Sequence, residues 1–143
     1  MTVAWILKDK GRNVVSVLPG TPVNEAISLL EKNRIGAVVV VDEQHHVLGI
    51  LSERDIVRIL ATRGPNALNE AVSEHMTRPV STCSEHHSID WVMSEMTAHR
   101  FRHIPITEGE RLAGIVSIGD VVKLKLALAE SEAAQMRQYF AAG

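Results

Sequence analysis

The sequence GILSERDIVR at residues 49–58 returns 65 positions later as GIVSIGDVVK at residues 114–123. The glycine, the serine and the aspartate keep their places, and the apolar residues between them keep their pattern. An internal repeat of this kind indicates two copies of one supersecondary unit, each too small to bury a good core alone. The repeat therefore predicts two packed units and two equivalent sites, each with a serine and an aspartate where an apolar run ends.

The residues around each copy predict the same order of elements in both halves. Alternating or continuous apolar runs predict strands, and Thr21, Ser52, Ser88 and Ser117 are suited to begin helices. The predicted strands are residues 14–17, 37–41, 47–51, 80–83, 103–107 and 112–116. We therefore expect an α/β (α+β) fold of two β-α-β-β-α units, packed with pseudo-two-fold symmetry around a ligand cleft.

The repeat also divides the chain into four parts. We expect an N-terminal segment at residues 1–13, a first unit at 14–70, a second unit at 71–130 and a C-terminal helix extension at 131–143. The N-terminal segment is expected to pack on the first unit through Trp5, Ile6 and Leu7. The extension carries Met136, Tyr139 and Phe140, which suit a homodimer interface.

Composition narrows the classes of function. The chain of 143 residues has a net charge of −2 with no basic block, which argues against nucleic acid as a partner. A single cysteine, Cys83, excludes an intrachain disulfide. No apolar stretch is long enough for a membrane span or a signal peptide, so we expect no membrane partner and a cytoplasmic location.

The repeated Ser-x-x-Asp pairs, Ser52 with Asp55 and Ser117 with Asp120, allow two interpretations. One is a capping box, in which the serine and the carboxylate satisfy free N–H groups at a helix start. The other is a ligand site, because a helix N-terminus suits phosphate and a carboxylate can accept hydrogen bonds from a ribose diol. The two roles are compatible with each other.

Each unit resembles a cystathionine-β-synthase (CBS) domain, and the whole chain resembles a stand-alone tandem CBS module. The resemblance covers roughly residues 12–130, and no single motif decides it without the order and spacing of the others. The residues that carry it are 34–40 and 49–55 in the first unit, and 75–77, 102–106 and 114–120 in the second. It implies a regulatory or sensor module that binds an adenosine-containing ligand (AMP, ADP, ATP, NAD or S-adenosylmethionine) and acts on a protein partner or on its own assembly.

The resemblance also implies which residues touch that ligand. Asp55 and Asp120 would hold ribose, with Ser52 and Ser117 beside them. The adenine would lie against the strand before each aspartate motif and against the first strand of each unit. Arg54 and Arg102 flank these motifs and suit phosphate. The remaining implied contacts are Ser16, Gly36, Ala37, Val38, Thr82, His103, Ile104 and Pro105.

Other functions stay open at this point. The sites can be vestigial, which would leave a structural dimerisation or interaction module. Cys83, His86 and His87 form a short cluster of potential metal ligands, although one cluster without a second pair is weak. An enzyme is not expected, because the chain has no P-loop, no acidic metal cluster and no nucleophile with a visible base. We therefore expect neither catalytic residues nor a catalytic cofactor.

Overall fold

The structure, a computed structural model, describes residues 1–142, so Gly143 of the expected extension lies outside the described residues. Short 3₁₀ helices at Pro65–Asn69 and Val72–Glu74 connect the two halves. The helices are α1 (Val3–Lys10), α2 (Val23–Asn33), α3 (Glu53–Arg63), α4 (Ile89–His99) and α5 (Ile118–Ala142). The strands are β1 (Ser16–Val17), β2 (Ala37–Val41), β3 (Val47–Ser52), β4 (His103–Glu108) and β5 (Arg111–Ser117).

Two small sheets confirm the two-unit α/β prediction. In the first unit β1 pairs parallel to β2, and β2 pairs antiparallel to β3. In the second unit β4 pairs antiparallel to β5. Val39 lies opposite Ile50 and Pro105 lies opposite Ile115, so the sequence repeat places the same positions opposite each other in both sheets. The helices follow their strands in the same order, which is the expected duplicated unit.

The predicted strand at residues 80–83 is the one element that the second unit lacks. Only Cys83 pairs there, in an isolated parallel bridge with Ile106. In the first unit the Val39 N–H donates to the Val15 carbonyl and extends the pairing of the first strand. Pro105 takes the place of Val39 in the second unit, and proline has no N–H to donate. The absent donor explains why this pairing shrinks to one bridge.

Each unit has its own, mainly aliphatic core. The core of the first unit lies between α2, α3 and the sheet, and includes Val23, Val38 and Leu51. The core of the second unit lies between α4, α5 and its sheet, and includes Val92, Ile104 and Val116. Val38, Leu51, Val92, Ile104 and Val116 are fully buried.

The N-terminal helix α1 packs on the second unit, so the expectation that it packs on the first is wrong. Val3, Ile6 and Leu7 are buried in the second core, whereas Trp5 is 56% exposed. Backbone hydrogen bonds from Val3 to His87 and from Ile89 to Met1 hold α1 there. The apolar face of α1 therefore completes the core of the second unit, which is distant from α1 in the chain.

Two glycines explain how each unit accepts a segment from outside its own repeat. A Cβ atom on Gly114 would lie 2.7 Å from Cδ2 of Leu7, and one on Gly49 would lie 2.5 Å from Sδ of Met76. Met76 lies at the start of the second unit but packs against the core of the first. The segment that leads into the first strand region of each unit therefore packs on the other unit, and the two halves are held by exchanged contacts.

Helix ends follow the capping residues in the sequence. Ser52 and Ser88 accept hydrogen bonds from Asp55 and Trp91 at the starts of α3 and α4, as predicted. Thr21 does not cap α2, because Pro22 is its N-cap residue and makes no side-chain cap bond. In the part of the chain that the structure describes, no helix combines the length and apolarity needed to cross a bilayer.

Helix α5 extends well beyond the second core. Val121 is fully buried on that core, and Leu124 packs partly against it. Further along, Met136, Tyr139 and Phe140 are 61%, 76% and 71% exposed. The C-terminal part of α5 therefore presents apolar and aromatic side chains to solvent.

Gly114→Ala tests the contact between α1 and the second unit. The new methyl group would overlap Leu7 in a filled core, so we expect a loss of about 1–3 kcal/mol in the free energy of unfolding. Combined with Leu7→Ala, which by itself removes buried groups, the loss should be smaller than the sum of the two single losses, because the overlapping group is gone. Denaturant unfolding of both variants measures the effect.

Gly20→Ala is the matched control. A Cβ there meets no atom within 4 Å, so its stability should stay close to that of the parent protein. Equal unfolding free energies for Gly114→Ala and the parent would contradict the packing described for α1.

Candidate functional site

A cleft of about 660 Å³ opens between the two units. The first unit contributes the loop before β2, the end of β3 and the start of α3. The second unit contributes residues 77–81 and the loop between α4 and β4. The lining residues are Gly36, Ile50, Ser52, Glu53, Arg54, Asp55, Val57, Thr77, Pro79, Val80, Ser81, His99, Arg100, Phe101, Arg102 and His103.

Asp55 lies at the centre of a hydrogen-bond network on the first-unit side of the cleft. Its Oδ2 accepts from the Ser52 N–H at 2.9 Å and from the Ser52 hydroxyl at 3.0 Å, and its own N–H donates to that hydroxyl. Its Oδ1 accepts from Arg58 at 3.1 Å and from the Thr77 hydroxyl at 3.2 Å. The capping box is therefore present, and it fixes a carboxylate that also lines the cleft.

The opposite side of the cleft is a basic loop of the second unit. Arg100 ends α4 in the left-handed conformation with φ 56°, as Arg34 ends α2 with φ 52° at the equivalent position. The turn brings Arg100, Arg102 and His103 to the cleft. Arg54 crosses from α3 and donates from Nη1 to the Arg100 carbonyl at 2.9 Å. These positive groups face a cleft whose negative charges are the carboxylates of Glu53 and Asp55.

The His103 ring of the second unit lies beside Gly36 of the first. A Cβ on Gly36 would lie 3.0 Å from Cε1 of His103, so a side chain there would require the imidazole ring to shift. Burial lowers the pKa of His103 below its usual value. The positive charges of Lys10 and Arg102 add to this effect, whereas Glu53 and Asp120 oppose it.

The second aspartate has a different partner. The Ser117 N–H donates to Asp120 Oδ2 at 2.8 Å and the Asp120 N–H donates to Ser117, so this capping pair matches the first. Lys10, the last residue of α1, also donates to Asp120 Oδ2, at 2.7 Å. Burial opposes ionisation of Asp120, but the Lys10 ammonium and the Ser117 N–H outweigh it and lower the pKa of the carboxyl group.

The structure brings together only part of the predicted set. Six of the predicted residues line the cleft: Gly36, Ser52, Arg54, Asp55, Arg102 and His103. Ser16 lies in β1 and Thr82 is half-buried, while Ser117 and Asp120 form the separate pair at the start of α5. Ala37, Val38, Ile104 and Pro105 are buried in strands β2 and β4.

The sequence interpretation missed several cleft residues and one residue near Asp120. Thr77, Pro79, Val80 and Phe101 line the cleft. Lys10 was not distinguished from its basic neighbours, because nothing in the sequence shows that α1 crosses to the second unit. Only the repeat could have indicated these two residues, because Thr77 contacts the first aspartate, Asp55, and Lys10 contacts the second, Asp120.

The cluster of potential metal ligands at Cys83, His86 and His87 does not assemble within residues 1–142. Burial raises the pKa of the Cys83 thiol to about 12, which disfavours the thiolate that binds metals. Nδ1 of His87 accepts from the Ser84 N–H at 2.9 Å. Glu70, Glu74 and His75 do lie together, but Glu70 is paired with Arg63 and with His75.

Comparisons with known proteins agree with this architecture. A CBS-domain containing protein from Agrobacterium tumefaciens is 47% identical, with a TM-score of 0.83 over 87% of this chain and 92% of that one. A putative signal-transduction protein with CBS domains from Burkholderia ambifaria is 39% identical, with a TM-score of 0.83 over 89% and 95%. The CBS domain pair of protein MJ0100, solved with 5′-methylthioadenosine and S-adenosyl-L-methionine, is 26% identical, with a TM-score of 0.80 over 89% and 97%.

The family assignment rests on the sequence as well as on the fold. The sequence model of the CBS domain matches residues 10–62 and again residues 72–127, which together make up most of the chain. These two matches contain the two copies of the repeat, with Asp55 in one and Asp120 in the other. The chain therefore belongs to the CBS domain family and consists mainly of two tandem CBS domains.

Proposed function

We propose that this protein is a regulatory module that binds an adenosine-containing ligand in the cleft between its two CBS domains. The observation that carries the proposal is the placement of Asp55 opposite the basic loop at Arg100, Arg102 and His103. A carboxylate that can accept from a ribose diol and arginines that can donate to phosphate suit the two polar parts of a nucleotide.

The apolar part of the cleft supports the same proposal. Ile50, Val57, Pro79, Val80 and Phe101 line it and offer a surface for the adenine ring. Binding pockets for small molecules commonly combine such apolar walls with a few polar groups that fix orientation. The related CBS pair of MJ0100 was solved with two adenosine derivatives, which favours this class of ligand here.

The ligand within that class remains a choice among AMP, ADP, ATP, NAD and S-adenosylmethionine. The arginines of the cleft favour a phosphorylated member, because S-adenosylmethionine carries no phosphate for them to bind. We take AMP as the test ligand, because it has one adenosine group and one phosphate. Binding would then alter a partner protein or the assembly of the module itself.

The alternative function is that of a structural dimerisation module whose ligand sites are vestigial. Exposed apolar residues on the helices support self-association: Val122 is 50% exposed and Leu126 is 59% exposed on α5. The exposed aromatic residues Tyr139 and Phe140 extend this surface. We therefore propose a homodimer in either case, and ligand titration separates a working sensor from a purely structural module.

Asp55→Asn tests the proposed ribose contact. A hydrogen bond to a charged group contributes about 1.5–3 kcal/mol, so AMP should bind about ten- to a hundredfold more weakly. Calorimetric titration measures the change. Asp90→Asn is the matched control, because Asp90 is also in the first turn of a helix but is paired with Lys125 away from the cleft. Equal AMP affinities of Asp55→Asn and the parent would mean that Asp55 acts only as a helix cap.

His103→Gln tests the proposed phosphate contact through pH. Burial keeps His103 neutral near pH 7, and a bound phosphate would favour its protonated form. The affinity advantage of the parent over His103→Gln should therefore be small at pH 8 and grow as the pH falls below about 6.5. Titration of the phosphate itself affects both proteins equally. An affinity ratio that does not change with pH would contradict a phosphate position beside His103.

Leu126→Glu tests the proposed homodimer. A charge on the exposed face of α5 should shift the protein from a dimer towards a monomer, measured by sedimentation equilibrium at micromolar concentration. Leu18→Glu is the control, because Leu18 is similarly exposed but lies outside the helices. A parent protein with the mass of one chain, with and without AMP, would contradict the dimer.

A further inference from the structure

The two aspartates of the repeat have equivalent positions but different neighbours. In the first site, Thr77 donates its hydroxyl to Asp55 and its backbone N–H to the Ile50 carbonyl. In the second site, the single ammonium group of Lys10 donates to both equivalent acceptors, Asp120 at 2.7 Å and the Ile115 carbonyl at 3.2 Å. A lysine side chain thus stands where the first site has a compact threonine.

The presence of a lysine instead of a threonine changes which ligand groups the carboxylate can bind. A threonine hydroxyl can donate and also accept, so a ligand hydroxyl can join its network. An ammonium group only donates, and it competes directly with ribose hydroxyls for the carboxylate. Asp55 lines the open cleft, whereas Asp120 is not among the lining residues. Both carboxylates are paired with a cation, but Arg58 is on the same helix as Asp55 and is 59% exposed, whereas Lys10 reaches Asp120 from α1 and is 30% exposed.

The end of α1 is held in this position from both sides. Asp9 pairs with Lys123 at 3.2 Å, and Arg12 pairs with Glu85 at 2.7 Å. Val3, Ile6 and Leu7 anchor the helix in the second core. Because the backbone is fixed, only the Lys10 side chain needs to move to uncover Asp120. Its 30% exposure places it within reach of solvent.

We propose that Lys10 is an intramolecular gate, which closes the second site by binding Asp120 in place of the ribose hydroxyls of a ligand. The protein then binds an adenosine ligand at the Asp55 site first, and at the Asp120 site only when Lys10 is displaced. This inference rests on the proposed function, because it assumes that Asp120 is a ribose-binding residue when it is free.

Lys10→Ala is the direct test, with adenosine as the probe. Adenosine has the ribose diol but no phosphate, so the loss of a positive charge does not weaken its attraction to the protein. An exposed ion pair is weak, so its removal should tighten binding at the second site by up to about fivefold. Adding Asp120→Asn to Lys10→Ala should abolish that gain, and Lys10→Arg should keep the site closed.

Lys123→Ala is the matched control. It removes one lysine and one ion pair between α1 and α5, but its partner is Asp9 and not Asp120. Adenosine binding at the second site should therefore stay at the parent level. Thermal denaturation shows that each variant is folded before titration.

The outcomes separate the gate from the proposed function. A second binding event that appears or tightens in Lys10→Ala, and is lost with Asp120→Asn, supports the gate. Adenosine binding that is unchanged or weaker at the second site overturns it, while binding at the first site that depends on Asp55 leaves the proposed function standing. The absence of adenosine binding in the parent and in Lys10→Ala overturns the gate, and the absence of AMP binding in the parent as well overturns the proposed function.

Discussion

The exchange of segments between the two CBS domains is the constraint on which the rest of the structure depends. Helix α1 packs its Leu7 against Gly114 of the second domain, and the connecting segment packs Met76 against Gly49 of the first. A side chain at either glycine would force the contacting Leu7 or Met76 to shift. The exchanged contacts fix the relative position of the domains, and the cleft that holds Asp55 opposite the basic loop is a consequence.

The same exchange makes the two sites unequal. The repeat supplies identical serine and aspartate pairs, but the segment that reaches each pair comes from a different part of the chain. Thr77 reaches Asp55, and Lys10 reaches Asp120. Both carboxylates are in ion pairs, Asp55 with Arg58 of its own helix and Asp120 with Lys10 of α1, but only Asp55 lines the cleft. In a duplicated protein, the connecting segments set this difference more than the repeated motifs do.

Sequence patterns predicted the elements that depend on local chemistry, such as the buried strand Ala37–Val41 and the serine cap of α3. They failed where a partner distant in the chain decides the outcome. The sequence of residues 80–83 favours a strand, but the pairing there is reduced to one bridge. The reason is Pro105 on the neighbouring strand β4, which has no N–H to donate. Lys10 was overlooked for the same reason, since its role depends on which domain receives α1. The second-unit side of the cleft likewise consists of loops whose position could not be predicted from the repeat.

A crystal structure of the protein grown with AMP tests the central claim most directly. The account predicts one nucleotide in the cleft between the domains, with its ribose hydroxyls within hydrogen-bond distance of Asp55 and its phosphate beside Arg102 or His103. The adenine should lie against the apolar wall near Val80. A nucleotide bound outside the cleft, or in the cleft with its ribose away from Asp55, would contradict the account.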